Sequence, residues 1–277
     1  MRRNPVMRFP VVIAAASAAA LLLAGCSSDS GSSDSPSSTS KAKTTTAAMP
    51  PLDMSQFDAL PPVPTPASAT VDCSYPSAAG AAKTVNPPNS TGVSTEGTVN
   101  VALTTTAGPI GMELNRAEAP CTVNSIVSLT EQKYFDDTPC HRLVTTPGLQ
   151  ILQCGDPSGK GTGGPGYGFD NEYPTTAYPA NDPALSLPAV YPRGTLAMAN
   201  SGKPGSNGSQ FFLVYEDSVL PPNYPVFGKI DDAGLATIEK IAADGDDGGM
   251  GATGGGAPNT PITIETAVVA CPPVRLY

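Results

Sequence analysis

Histidine occurs once in 277 residues, tryptophan not at all, and charged side chains make up only 14% of the chain. The single imidazole, His141, excludes histidine-rich metal cages and any mechanism that needs two imidazoles. Lysine and arginine are outnumbered 15 to 24, for a formal net charge of -9, and do not cluster beyond the first few residues. Sign and pattern both argue against a nucleic-acid surface. None of the six cysteines stands in a Cys-x-x-Cys spacing, which argues against zinc ribbons and thioredoxin-type redox chemistry. No metal or cofactor is expected. The longest apolar stretch, Val11 to Leu23, falls short of the about 20 residues that a membrane-spanning helix needs. No internal repeat is present.

That stretch suits a secretory leader instead, with Arg2, Arg3 and Arg8 as its basic start. It ends in Leu23-Ala24-Gly25-Cys26, which resembles a bacterial lipobox with Cys26 as the lipidated (palmitate-bearing) residue. Residues 1–25 are therefore expected to be a lipoprotein signal peptide. The mature protein is expected on the extracytoplasmic face of the cell membrane, lipid-anchored and not spanning. Residues 26–92, rich in Ser, Thr, Pro and Ala, bury too little surface to offset their ordering entropy and read as a flexible tether. Within it the segment 71–86, which contains Cys73, is the part suited to pack on a folded domain. Residues 93–277 are the length of one such domain.

Period-two alternation marks Thr98 to Thr104, and after Ala107-Gly108-Pro109 a partner strand runs from Ile110 to Leu114. Pro120 suits the first turn of a helix whose Val123, Ile126, Val127 and Thr130 share a face and which ends near Tyr134-Phe135. Further short strands fit Cys140–Val144, Leu149–Gln153, Gly194–Ala199, Phe211–Tyr215, Val226–Ile230 and Pro261–Val269. A second helix fits Asp232–Ala243, with Leu235, Ile238 and Ile241 inward and Asp231 or Asp232 as cap. Many short strands and two helices indicate a mainly β protein, a closed barrel with helical end-caps. The Gly-rich stretch from Asp156 to Pro192 has no periodicity, and loops of that length are usually functional or mobile.

Three chemical motifs fail on inspection. Gly155–Gly161 (GDPSGKG) is one residue short of a phosphate-binding loop and has no Ser or Thr after its Lys. Asp244–Gly249 (DGDDGG) lacks the closing Glu of a calcium loop. A Ser-His-Asp hydrolase would have to use His141, yet there is no Gly-x-Ser-x-Gly elbow and Arg142 adjoins the imidazole.

Four ordered segments carry a different signal: HRLVTTPGLQILQCGD from His141, GTGGPGYGF from Gly161, MANSGKPGSNGSQFF from Met198 and VFGKI from Val226. Together they resemble the cyclophilin-type peptidyl-prolyl cis-trans isomerases from about Thr98 to Thr266. The resemblance implies a closed antiparallel eight-stranded cyclophilin-like β-barrel capped by two α-helices. The activity it implies is rotation about X–Pro peptide bonds, with proline-containing polypeptides as partners and, for an exported chain, assistance to folding. It implies Arg142 as the catalytic guanidinium and His141 as its supporting imidazole. Gln153, Ile151, Ala199, Asn200, Gln210, Phe212, Leu220 and Tyr224 are implied as substrate-binding residues, with Phe212 the floor of a proline pocket. Three extra residues between Arg142 and Gln153 leave open whether Leu149 or Gln150 lines that pocket. Val219 stands where eukaryotic relatives carry a Trp that grips cyclosporin, so weak cyclosporin binding is expected. In the inferred hairpin Cys140 and Cys154 lie on adjacent strands and are expected to pair; Cys73 and Cys271 flank the domain and are the other expected pair, with Cys121 free. A monomer is expected. The rival reading is a non-catalytic module that docks proline-containing segments on the same fold.

Overall fold

A computed structural model describes residues 52–270. In chain order the strands are β1 (Asp58–Ala59), β2 (Thr70–Val71), β3 (Val93–Ser94), β4 (Thr98–Thr105), β5 (Gly108–Asn115), β6 (Thr138–Pro139), β7 (Arg142–Thr146) and β8 (Leu149–Cys154). They continue with β9 (Ala189–Tyr191), β10 (Thr195–Met198), β11 (Phe211–Glu216), β12 (Ser218–Leu220), β13 (Val226–Ile230) and β14 (Thr263–Ala270). Two helices, α1 (Pro120–Glu131) and α2 (Asp232–Ala242), complete the regular elements apart from short 3-10 turns. No helix among the described residues is long and apolar enough to cross a membrane.

Nine strands hydrogen-bond in the order β6-β14-β4-β5-β13-β10-β11-β8-β7, every neighbouring pair antiparallel. The two ends of this curled sheet, β6 and β7, are consecutive in sequence. The ring therefore meets along one stretch of chain and not through a ninth ladder, which corrects the expectation of eight strands fully closed by pairing. Pro139 at the seam has no N–H to donate. Only isolated bonds cross there: Cys140 donates to Ile262 (2.9 Å), and Leu143 and Gly256 exchange two bonds (2.8 and 3.0 Å).

Strand alternation then decides what lies inside and what lies outside. Leu143, Leu152, Cys154, Leu196, Met198, Phe211, Leu213 and Phe227 enter the main core together with the inner faces of both helices. Their neighbours Val144, Ile151, Ala197, Phe212, Val214 and Val226 point outward and form a second apolar cluster. The two-residue period thus divides the buried strand residues between the barrel interior and a second buried cluster on its outer face.

Both helices begin as their ends require. Asp231 caps α2, its Oδ1 accepting from Gly234 N–H (2.7 Å) and from Gly111 N–H (3.0 Å). Ala119 offers α1 no side-chain cap. The carboxylate of Glu172, some fifty residues away, accepts from the N–H groups of Cys121 (2.9 Å) and Thr122 (2.7 Å) and from the Thr122 hydroxyl (2.7 Å). Burial, the largest influence, pushes the Glu172 carboxyl above its ordinary value against the pull of these donors. Helix α1 ends at Glu131, sooner than Tyr134-Phe135, because Lys133 takes a left-handed φ of 56°.

The segment expected to be a tether up to residue 92 is in fact packed from Leu52 onward. Strand β1 runs parallel to β9, which pairs antiparallel with β12. Leu60 joins the second apolar cluster, and the Tyr173 hydroxyl donates to the Pro61 carbonyl (2.7 Å). Cys73 is bonded to Cys121, which corrects the expected Cys73–Cys271 pair and the expectation of a free Cys121; Cys271 lies outside the described residues. The reason is local: Tyr75 inserts edge-on between Tyr167 and Phe169 and donates to the Cys121 carbonyl, carrying Cys73 to the start of α1. Cys140 and Cys154 are joined as expected.

Candidate active site

Strand β7 pairs Arg142 with Gln153 on β8, and β8 pairs Gln153 with Phe212 on β11. Register alone brings these three side chains to one row on the outer face. The guanidinium of Arg142, half-buried, is held at three points. Its Nε donates to the Gly254 carbonyl (3.1 Å), Nη1 to Gln153 Oε1 (3.2 Å), and Nη2 to the Thr253 carbonyl. A guanidinium has five N–H donors, so two remain free. Burial draws the Arg142 pKa below its ordinary value, with the Tyr224 hydroxyl opposing; at any physiological pH the group stays charged.

From Arg142 a chain of amides continues outward. Gln153 Nε2 donates to Gln210 Oε1 (2.9 Å), and Gln210 Nε2 donates to the Gly163 carbonyl (3.0 Å). Gly163 N–H in turn donates to the buried carboxylate of Asp156 (2.9 Å), which also accepts from the Ser158 backbone and hydroxyl. An unbroken line of hydrogen bonds thus ties the guanidinium to the Gly-rich loop.

Beside this line lies an apolar cluster. Phe212, 3% exposed, belongs to it with Ile151 and Val214, and Leu149, Ala199, Leu220 and Tyr224 pack against the cluster. The Phe212 ring meets Tyr224 edge-on at 5.7 Å. Alternation puts Leu149 and Ile151 on the outer face with Gln153, and Gln150 on the opposite one.

Asn200 contributes differently from the expectation. Its side-chain amide is spent inward, donating to Asn207 Oδ1 (3.0 Å), Asn171 Oδ1 (3.3 Å) and the Asn223 carbonyl (2.9 Å), while its Oδ1 accepts from Gly202 N–H. Its backbone N–H and C=O, by contrast, enter no hydrogen bond among the described residues. The backbone, not the amide, is what Asn200 offers a ligand.

His141 is not brought into the line. It is 8% exposed, its Nδ1 has no hydrogen-bond partner, and its ring lies against Gly161. A Cβ at Gly161, whose φ is +74°, would sit 3.3 Å from His141 Nε2, so only glycine fits comfortably. Burial pulls the His141 pKa below its ordinary value; Asp156 opposes this and Arg142 adds to it. The geometry packs His141 beneath the Gly-rich loop.

Sequence reasoning missed Thr253 and Gly254, whose carbonyls orient Arg142. They follow the acidic turn at 244–249, and the signal was the glycine run itself. Gly255 has φ +71°, and a Cβ there would lie 2.1 Å from the Leu143 carbonyl. Only a glycine lets the loop lie flat on β7. Cys26 lies outside the described residues.

Against this geometry stand the relatives. The family model of the cyclophilin-type peptidyl-prolyl cis-trans isomerases matches residues 100–269. A probable peptidyl-prolyl cis-trans isomerase B of Mycobacterium leprae is 59% identical over 200 residues, 71% of this chain and 66% of that protein. Its Mycobacterium tuberculosis counterpart is 52% identical over 212 residues, 76% of this chain and 68% of that protein. The alignments thus span about two thirds of these relatives' length. A crystal structure of a Cryptosporidium parvum cyclophilin-type isomerase superposes with a TM-score of 0.50 at 30% identity, covering 64% of this chain and all of that one.

Proposed function

The chain belongs to the cyclophilin-type peptidyl-prolyl cis-trans isomerases, and from that premise we propose that residues 52–270 turn X–Pro bonds of exported polypeptides by holding the amide twisted, with no covalent step. An X–Pro bond rotates over a barrier of ~18–20 kcal/mol because resonance stiffens C–N, and exchange unaided takes roughly tens to hundreds of seconds. Nothing is cleaved, so neither nucleophile nor metal is required. As the bond twists, the prolyl nitrogen becomes pyramidal and basic. A fixed donor aimed at it stabilises the twisted state more than the planar one.

The observation that carries this reading is the anchoring of Arg142: three bonds fix the plane of the guanidinium and leave two donors unspent on the face that carries Phe212. The prolyl ring packs on Phe212, and the backbone N–H and C=O of Asn200 hold the flanking chain. Magnitudes show why all three parts are needed. A five-decade acceleration requires about 7 kcal/mol, while one charge-assisted hydrogen bond contributes roughly 1.5–3 kcal/mol. Binding and orientation supply the remainder. A module that only docked proline segments would have no use for the free donors, which favours turnover over docking.

Two disulfides in the folded part support an oxidising compartment. The mature chain is accordingly read as an extracytoplasmic lipoprotein anchored through Cys26. Val219, in place of a tryptophan, removes the large flat contact for cyclosporin, so inhibition is expected to be weak; a nanomolar inhibition curve would contradict that. The activity itself is tested by a protease-coupled assay on a proline tetrapeptide, and the anchor by mass spectrometry of the peptide that begins at Cys26. Absence of turnover, or an unmodified Cys26, would overturn the respective reading.

A further inference from the structure

A cleft of about 580 Å³ opens at the end of the catalytic row marked by Gln153 and Gln210. One wall is the barrel, through Gln153, Asn200 and Gln210. The other is the Gly-rich loop together with Ala78 and Ala79. Those two alanines belong to an arm, residues 73–84, that precedes the family-matching segment 100–269.

The arm lies on the Gly-rich loop through two isolated bridges, Ser77 to Tyr167 and Ala81 to Gly164. Ala78 N–H donates to Gly166 (2.9 Å), Ala82 to Gly164 (2.8 Å), Gly164 to Gly80 (2.8 Å) and Gly168 to Pro76 (2.9 Å). Such close approach of two backbones needs small side chains on both: a Cβ at Gly166 would sit 3.3 Å from that of Ala81, and one at Gly163 would sit 2.9 Å from that of Ala82. This explains the run Ser77-Ala78-Ala79-Gly80-Ala81-Ala82, whose composition alone reads as tether. Both ends of the arm are fastened. Cys73 is bonded to Cys121, Tyr75 is wedged between Tyr167 and Phe169, and Lys83 donates to the carbonyls of Tyr134 (2.9 Å) and Asp136. The loop it braces is the one whose Gly163 receives Gln210.

We infer that this arm is a specificity-determining wall of the enzyme: Ala78 and Ala79 set the size of the side chain, beside the proline in a substrate, that the cleft accepts. The inference rests on the isomerase reading of the same site. Every residue lining the cleft is neutral, so the favoured occupant is an uncharged side chain that can meet backbone and amide groups. The Cys73–Cys121 bond keeps the wall from swinging outward.

The test uses proline peptides in which each flanking position is varied in turn through Gly, Leu, Gln, Phe and Lys. Ala79→Trp narrows the cleft from an exposed position. At the one flanking position that occupies the cleft, it is expected to raise the preference for Gly over Leu or Phe, as a ratio of kcat/KM, about tenfold above wild type. The double variant Cys73→Ser with Cys121→Ser frees the wall and is expected to move that ratio the opposite way. Ala67→Trp, exposed and remote from the cleft, leaves the profile as in wild type. Peptide affinities measured by NMR titration on the same proteins report the selectivity even without turnover, so failure of the isomerase reading is distinguishable. A profile for Ala79→Trp identical to wild type at every position, or lowered equally across all peptides, would overturn the inference.

Discussion

Replacing Arg142 separates charge from geometry. In Arg142→Ala the fold should survive, because the carbonyls of Thr253 and Gly254 sit near the surface and can turn to water; the expected loss is about 1 kcal/mol of stability or less. Activity should fall much further. The substrate loses at least one charge-assisted bond in the twisted state, roughly 1.5–3 kcal/mol, which is about 10- to 150-fold in kcat/KM. Gln153 also loses its Nη1 donor (3.2 Å), so the Gln153–Gln210 line slackens, and the upper end of that range is expected. Arg142→Lys retains the charge but has three donors on a rotating ammonium in place of a fixed fork. It cannot bind both loop carbonyls and Gln153 while also facing the substrate, so it should lie nearer to alanine than to wild type. Both variants are assayed by protease-coupled turnover, with circular dichroism and a thermal melt as fold controls. Arg142→Ala within twofold of wild type, or Arg142→Lys equal to it, would refute the reasoning that a geometrically fixed guanidinium drives the rotation.

Gln153→Ala should lower kcat about 2- to 13-fold, the equivalent of one net hydrogen bond of roughly 0.5–1.5 kcal/mol, with KM little moved; steady-state kinetics on one tetrapeptide decides it. Glu172→Ala strands the donors at the start of α1 and should cost ~2 kcal/mol, a fall in Tm of about 4–8 °C, read by a thermal melt. His141 predicts an acid-side effect. Its folded pKa lies below the unfolded value of about 6.5, so as pH falls the unfolded chain takes up the proton first. Stability is therefore full above that value and is lost as pH drops toward the depressed pKa, by at most about 1.4 kcal/mol per pH unit. Denaturant titrations between pH 5 and pH 7 should show a shallower decline in His141→Gln than in wild type.

How far the sequence carried can be judged from single residues. The strands β7, β8 and β11 were legible as short apolar runs, but β11 is buried on both faces, so it took the ladder register to put Arg142, Gln153 and Phe212 in one row. The cap of α1 was not legible, since Glu172 reaches it from some fifty residues along the chain, past β6, β7 and β8, with no local trace. The arm at 73–84 lies within the segment 71–86 that was read as suited to pack on the domain, but its mode of packing was not legible. Its alanines and glycine look like tether because composition reports what a segment can bury alone, whereas this one is held by backbone pairing with a distant Gly-rich loop. The expected Cys73–Cys271 pair failed on the same point: Tyr75, not proximity in the chain, decides where Cys73 goes. Asn200 is the subtler case. Its amide is consumed by Asn171, Asn207 and Asn223, while its backbone N–H and C=O have no partner among the described residues.

Exchange NMR on a proline peptide mixed with the wild-type chain tests the central claim most directly, because it watches the bond turn with no coupled protease. Cis and trans signals that unaided interconvert over roughly tens to hundreds of seconds should show exchange cross-peaks at sub-second mixing times when a catalytic amount of the protein is added. A peptide that binds, shifting resonances of Phe212 and Tyr224, yet exchanges no faster than in buffer would contradict the account.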